Sequence, residues 1–216
     1  MADTPYVPGR IAEPRVLGLY ALAAATFLVG SRMAGWYDTN GRLLAAFIAV
    51  FGLVQLLAAM WSYERHDELA TAIFGMWGAF WLAYGVLDMP FATPTPVLTA
   101  ASPEIAFALI ALAAITWMLM LAAAAESAAS VLGLLLLAGA ATVGAIADGL
   151  GIHGLRVATG WLFFVAGVIE WYTATALLLA SSHGRDVLPV GTTLIVRTPP
   201  AASDVPRATP AARRIG

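Results

Sequence analysis

GMWGAFWLAYG, residues 75–85, lies inside an apolar run long enough to cross a bilayer, and it mixes Trp77, Phe80, Trp81 and Tyr84 with Gly75, Gly78 and Gly85. At about 100° per residue, Trp77, Trp81 and Tyr84 form one stripe of a helix, and the three glycines form a second stripe roughly 100° around the cylinder. Helix association in lipid depends on close backbone packing, so the glycine face suits a neighbouring helix. The bulky face must then point at lipid, a cavity or another subunit. Trp and Tyr ordinarily prefer the membrane–water interface, and Trp77 near mid-membrane therefore needs a reason. Trp81 and Tyr84 suit packing. Trp77 suits a pore wall, because a buried indole N–H needs a partner that a wet cavity supplies.

The same pattern extends along the chain, which is 61% hydrophobic and 11% charged, the profile of a polytopic membrane protein. Six stretches reach the ~20 apolar residues that a ~30 Å hydrocarbon slab demands, near residues 15–37, 42–62, 69–88, 104–125, 128–149 and 156–181. They predict an all-α integral membrane protein with six transmembrane helices. The membrane domain is expected over 15–181, with tails at 1–14 and 182–216, the second largely disordered beyond about 196 because it is rich in Pro, Ala and Thr. The N-terminal segment lacks the apolar core and small-residue cleavage site of a signal peptide, so it is expected to be retained.

All eleven basic residues are Arg, and they fall unevenly. Arg10, Arg15, Arg65, Arg185, Arg197, Arg207, Arg213 and Arg214 lie on one predicted side, and Arg32, Arg42 and Arg156 on the other. The positive-inside rule then places both termini in the cytoplasm of a multi-pass inner (plasma) membrane protein. No basic run points to nucleic acid. With no cysteine in the chain, disulfides, thiol catalysis and thiolate metal sites are excluded. His66, His153 and His183 fall in predicted loops or helix ends, and no phosphate loop, HExxH or GxSxG motif is present, so neither a metal, a cofactor nor an enzyme is indicated.

Ionisable groups inside the slab are functional candidates by default. Arg32 and Asp148 lie near the predicted outer surface, where interfacial solvation accounts for them. Glu170, about fifteen residues into the last helix with no basic residue predicted at its depth, is either a neutral hydrogen-bonded acid or a proton-carrying site. Gln55 is the remaining polar residue at depth.

Three segments resemble the acetate uptake transporter family, which includes bacterial succinate–acetate permeases and the yeast acetate and ammonia-export proteins. HGRDVLPVG, residues 183–191, is similar to the family's Phe-Gly-Arg-x-Val-Leu-Pro-Val/Ile-Gly. GMWGAFWL is similar to Ser-Tyr-Gly-Ser/Ala-Phe-Trp-Leu, and the preceding VQLLAAMW to Ala-Gln-Leu/Ile-x-Ala-Gly-x-x. AEPRVLGLYAL, residues 12–22, stands at the signature Asn-Pro-Ala-Pro-Leu-Gly-Leu: Pro14, Leu17, Gly18 and Leu19 match, whereas Glu13 replaces Asn and Val16 replaces the second Pro. Met33 and Ser62 depart from the Asn and Glu that relatives commonly carry.

The resemblance implies a six-helix protomer in a homohexamer, with one pore per protomer and a narrow apolar constriction. Carried over by motif, that constriction falls on Leu22, Trp77 and Leu137. Phe to Leu at 22 removes bulk and Tyr to Trp at 77 adds it, which suggests an aperture kept by compensation. The implied function is a transporter or channel for acetate, with succinate possible, linked to protons. Candidate substrate-binding residues are Pro14, Gly18, Thr26, Gln55 and Asp148, with Thr26, Gln55 and the Trp77 N–H as donors, the start of the first helix near Pro14 and Arg15 as an anion site, and Glu170 as the proton-coupling group. Glu13 would repel a carboxylate unless paired with Arg10 or Arg15. Two alternatives stay open: a pore for ammonia, urea or a short amide, and a scaffold or sensor without flux.

Overall fold

The computed structural model describes residues 12–36, 42–89 and 101–194, with the side chain of Arg42 excepted. Arg10 and the tail beyond 196 lie outside the described residues. Within them the chain forms six helices: α1 Pro14–Met33, α2 Arg42–Glu64, α3 Glu68–Leu87, α4 Pro103–Ala123, α5 Ala128–Leu150 and α6 His153–His183. All six are long and apolar enough to cross a membrane, and no strand occurs among the described residues.

Local chemistry sets the ends. Pro14 opens α1 at a position where its missing N–H is no loss. Asp67, Ser102 and Ser127 cap α3, α4 and α5 by accepting from Ala70, Ile105 and Ser130 backbone N–H groups. At the other ends, α5 and α6 stop where Gly151 and Gly184 turn left-handed, both at φ 65°. The expected boundaries differ most for α1, which stops at Met33 rather than 37 and is followed by Gly35 at φ 80°. In contrast, α6 is longer than expected at 31 residues, roughly 46 Å at 1.5 Å per residue.

The helices pack as α1 against α6 and α2, α2 against α3, and α5 against α4 and α6. Glycines set the closest crossings. A Cβ on Gly78 would lie 2.8 Å from Gln55 Cβ and 2.9 Å from the Gly52 carbonyl oxygen, and one on Gly85 would meet the Ala45 and Ala49 backbone. The expected glycine face of α3 thus packs on α2, but Gly75 differs: its nearest neighbour, Ala59 Cβ, is 4.0 Å away. Outward-facing Phe47, Val50, Leu53 and Leu57 of α2 and Phe107, Ile110 and Met118 of α4 stay exposed, as a lipid-facing surface requires.

Candidate functional site: a buried aromatic plug and the acid beneath it

Leu22 of α1, Trp77 of α3 and Leu137 of α5 are fully buried and belong to one continuous apolar core. Trp81 and Tyr84 are buried with them, so the whole aromatic stripe of α3 faces inward. The ring of Phe163, from α6, stands edge-on to both tryptophans, at 6.0 Å from Trp77 and 5.5 Å from Trp81. Among the described residues neither the Trp77 nor the Trp81 indole N–H has a hydrogen-bond partner. An unmet buried donor costs about 1–3 kcal/mol, and here two lie on adjacent turns of α3. The helical period of α3 gives Trp81 a packing role, and its unmet donor emerges only from the fold.

The other expected donors are already engaged. Thr26 Oγ1 donates to the Leu22 carbonyl at 2.7 Å, and Gln55 Nε2 donates to the Phe51 carbonyl at 3.4 Å. Both side chains satisfy their own helix, which leaves Gln55 Oε1 as an unmet acceptor. Thr26 packs against Gly167, one turn before Glu170 on α6. Gly18 is covered by the Phe74 ring.

Three residues toward the starts of α1, α3 and α5, the side chains of Leu19, Phe74 and Leu134 line a recess with Glu170, Ser130, Arg15 and Glu126. Each precedes one member of the Leu22, Trp77 and Leu137 set by three positions, about 4.5 Å of helix, so the recess lies directly beside those three side chains. Glu170 is 3% exposed. Its carboxyl packs on Gly133, where a Cβ would collide with it, and among the described residues no donor or cation bonds to it.

The mouth of the recess is ionic. Arg15 donates to Glu126 at 2.8 and 2.9 Å and to Asp67 at 2.7 and 3.2 Å. Pro14 sets this geometry only by opening α1 beside Arg15. Arg15 is taken by Asp67 and Glu126, Arg10 lies outside the described residues, and Glu13 pairs with Arg65 at 3.1 Å, because the turn after α2 brings Arg65 to the start of α1, where it also donates to the Ala12 carbonyl.

Asp148 lies at the opposite end of the bundle, away from Glu170. Interfacial solvation does not describe it: the carboxylate is 4% exposed and pairs with Arg156 at 2.9 Å. A helix end and a turn divide the two in the chain, so the local pattern of neither names the other. His66 sits in the α2–α3 turn and His153 and His183 at the ends of α6.

The HGRDVLPVG segment folds back on the link between α4 and α5. Ala129 N–H donates to Val190 O at 3.0 Å, Leu194 N–H to Ala124 O at 2.9 Å, and Tyr172 O–H to Pro189 O at 2.7 Å. Gly191, at φ 78°, packs where a Cβ would lie 2.6 Å from Ala128 Cβ, so neither its backbone nor its space admits a side chain. This motif therefore fixes the short link that carries Glu126.

A profile of the GPR1/FUN34/yaaH family matches residues 2–191. The succinate-acetate/proton symporter SatP of Escherichia coli K12 is 25% identical over 187 residues, covering 84% of this chain and 96% of that protein. A protein of Methanothermobacter thermautotrophicus is 25% identical over 197 residues, covering 85% of this chain and 93% of its own length. Among solved structures, the bacterial acetate channel SatP superposes with a TM-score of 0.76 at 22% identity, over 84% of this chain and all of that one.

Proposed function

Because this chain belongs to the GPR1/FUN34/yaaH family, we propose that it is a transporter or channel for acetate and related small carboxylates, linked to protons. The observation that carries this reading is the apolar plug of Leu22, Trp77 and Leu137 beside a recess ending on the unbonded Glu170. A carboxylate loses its hydration at large cost in such a plug. With a carboxyl reference pKa of about 4.3, roughly one molecule in 500 is neutral at pH 7, and that neutral acid crosses most easily. Glu170 is suited to deliver or receive the proton beside the plug, and the Trp77 and Trp81 N–H groups to hold the acid's oxygens within it. The start of α1 and the end of α6 lie at the Arg15 end, which the arginine distribution makes the cytoplasmic side of the inner membrane. The assembly we propose is a homohexamer with one pore per protomer, in which part of the exposed apolar surface of α2 and α4 meets neighbouring protomers and the rest meets lipid.

A second reading keeps the pore and changes the solute. Arg15 is already held by two carboxylates, so among the described residues that line the recess no unpaired arginine is left to attract an anion, which favours a neutral solute such as ammonia. Flux into liposomes containing the purified protein, compared for labelled acetate and for ammonia against empty liposomes, separates the two.

A further inference from the structure

The carboxylate of Glu126 occupies the place on Arg15 that a substrate carboxylate would take. Arg15 and Glu126 form a wall between two spaces: the inner recess that ends on Glu170, and an open cleft outside it lined also by Asp67, His66 and Glu68. A solute passing from cleft to recess must pass this pair. Here Arg15 presents two parallel N–H groups to the two oxygens of Glu126, at 2.8 and 2.9 Å, the fork geometry by which Arg recognises any carboxylate.

The two acids on Arg15 are not equivalent. Asp67 is fixed from both sides, with Oδ2 on Arg15 and Oδ1 accepting from Ala70 N–H at 3.1 Å as the cap of α3. The Glu126 carboxylate has only Arg15 among the described residues. Its backbone is tied down, since Ala124 O and Ala129 N–H on either side bond to the Leu194 and Val190 backbone. A rotation of the Glu126 side chain therefore opens the wall while α1, α3 and the link stay in place. Glu170, nine-tenths and more buried and without a bond of its own, lines the space behind.

We propose that Glu126 is a built-in competitor: a small carboxylate entering from the cleft displaces it from Arg15, takes over the guanidinium fork, and so gains the Glu170 recess. The inference rests on the carboxylate reading above. With Glu126 in place the cluster of Arg15, Asp67 and Glu126 carries a net charge of −1, which an entering carboxylate restores once Glu126 has swung into the water of the cleft.

The test presents acetate to the face where α1 begins, in oriented proteoliposomes of the full chain. Glu126→Gln lowers the half-saturating acetate concentration on that face roughly tenfold, the scale of one charge-assisted pair, and leaves the other face unchanged. Glu126→Asp keeps the charge but is a methylene too short for the fork, so it also lowers half-saturation, which an effect of charge alone would not produce. The unaltered protein gives a reading without substitution: infrared difference spectra, acetate against chloride at equal ionic strength, show a glutamate carboxylate band that Glu126→Gln lacks. Acetate flux with half-saturation unchanged in both variants, or with no such band, overturns this inference and leaves the transport reading standing. Absence of acetate flux in the unaltered protein overturns both.

Discussion

Gly78→Ala is the substitution whose consequence the packing fixes most closely. The added Cβ would lie 2.8 Å from Gln55 Cβ, 2.9 Å from Gly52 O and 3.1 Å from Leu56 N, where ordinary contact begins at 3.4 Å. Two of those three atoms are α2 backbone, so no side-chain rotation relieves them, and α3 must move away from α2 by about 0.6 Å. Overpacking of this kind costs about 1–3 kcal/mol. The shift also moves Trp77, the preceding residue, within the core that it shares with Leu22 and Leu137, so acetate flux falls together with stability. Gly75→Ala is the matched control on the same face: its nearest neighbour is 4.0 Å away, and replacing a helical glycine there adds up to ~1 kcal/mol of stability. Thermal unfolding in detergent and flux in liposomes measure both variants. Equal unfolding temperatures for Gly78→Ala and Gly75→Ala would refute the packing argument, and a destabilised Gly78→Ala with undiminished flux would detach Trp77 from the path.

Leu22→Phe fills the plug and is expected to choke acetate flux, while the purified protein stays folded by circular dichroism; unchanged flux would remove Leu22 from the pathway. Glu170→Gln keeps the shape of the recess and removes its titratable group, so flux down an acetate gradient should persist while acceleration by an imposed pH gradient is lost. Arg156→Leu leaves Asp148 buried and unpaired, a loss of about 3–5 kcal/mol, and Asp148→Asn added to it should recover most of the unfolding temperature; no recovery would show that the pair does not act as a unit.

The six helices were legible because span length and hydropathy are local properties, and the glycine and aromatic faces of α3 followed from its period. The differing roles of Gly75 and Gly78 were not legible, since they depend on where α2 crosses. Likewise Arg15 and Glu126 are 111 positions apart, and nothing in the local pattern of either names the other. Glu170 stood out by its depth alone, whereas its recess is assembled from α1, α3, α5 and α6 together. Thr26 and Gln55 were named as donors from their chemistry, but a helix offers each a carbonyl four residues back, and both take it.

If acetate crosses beside Trp77 with its proton, labelled acetate uptake into liposomes holding the purified protein, measured with and without a pH gradient beside Trp77→Ala and empty liposomes, exceeds the empty-liposome leak, rises with the gradient and changes in the variant. Uptake no greater than the leak would contradict it.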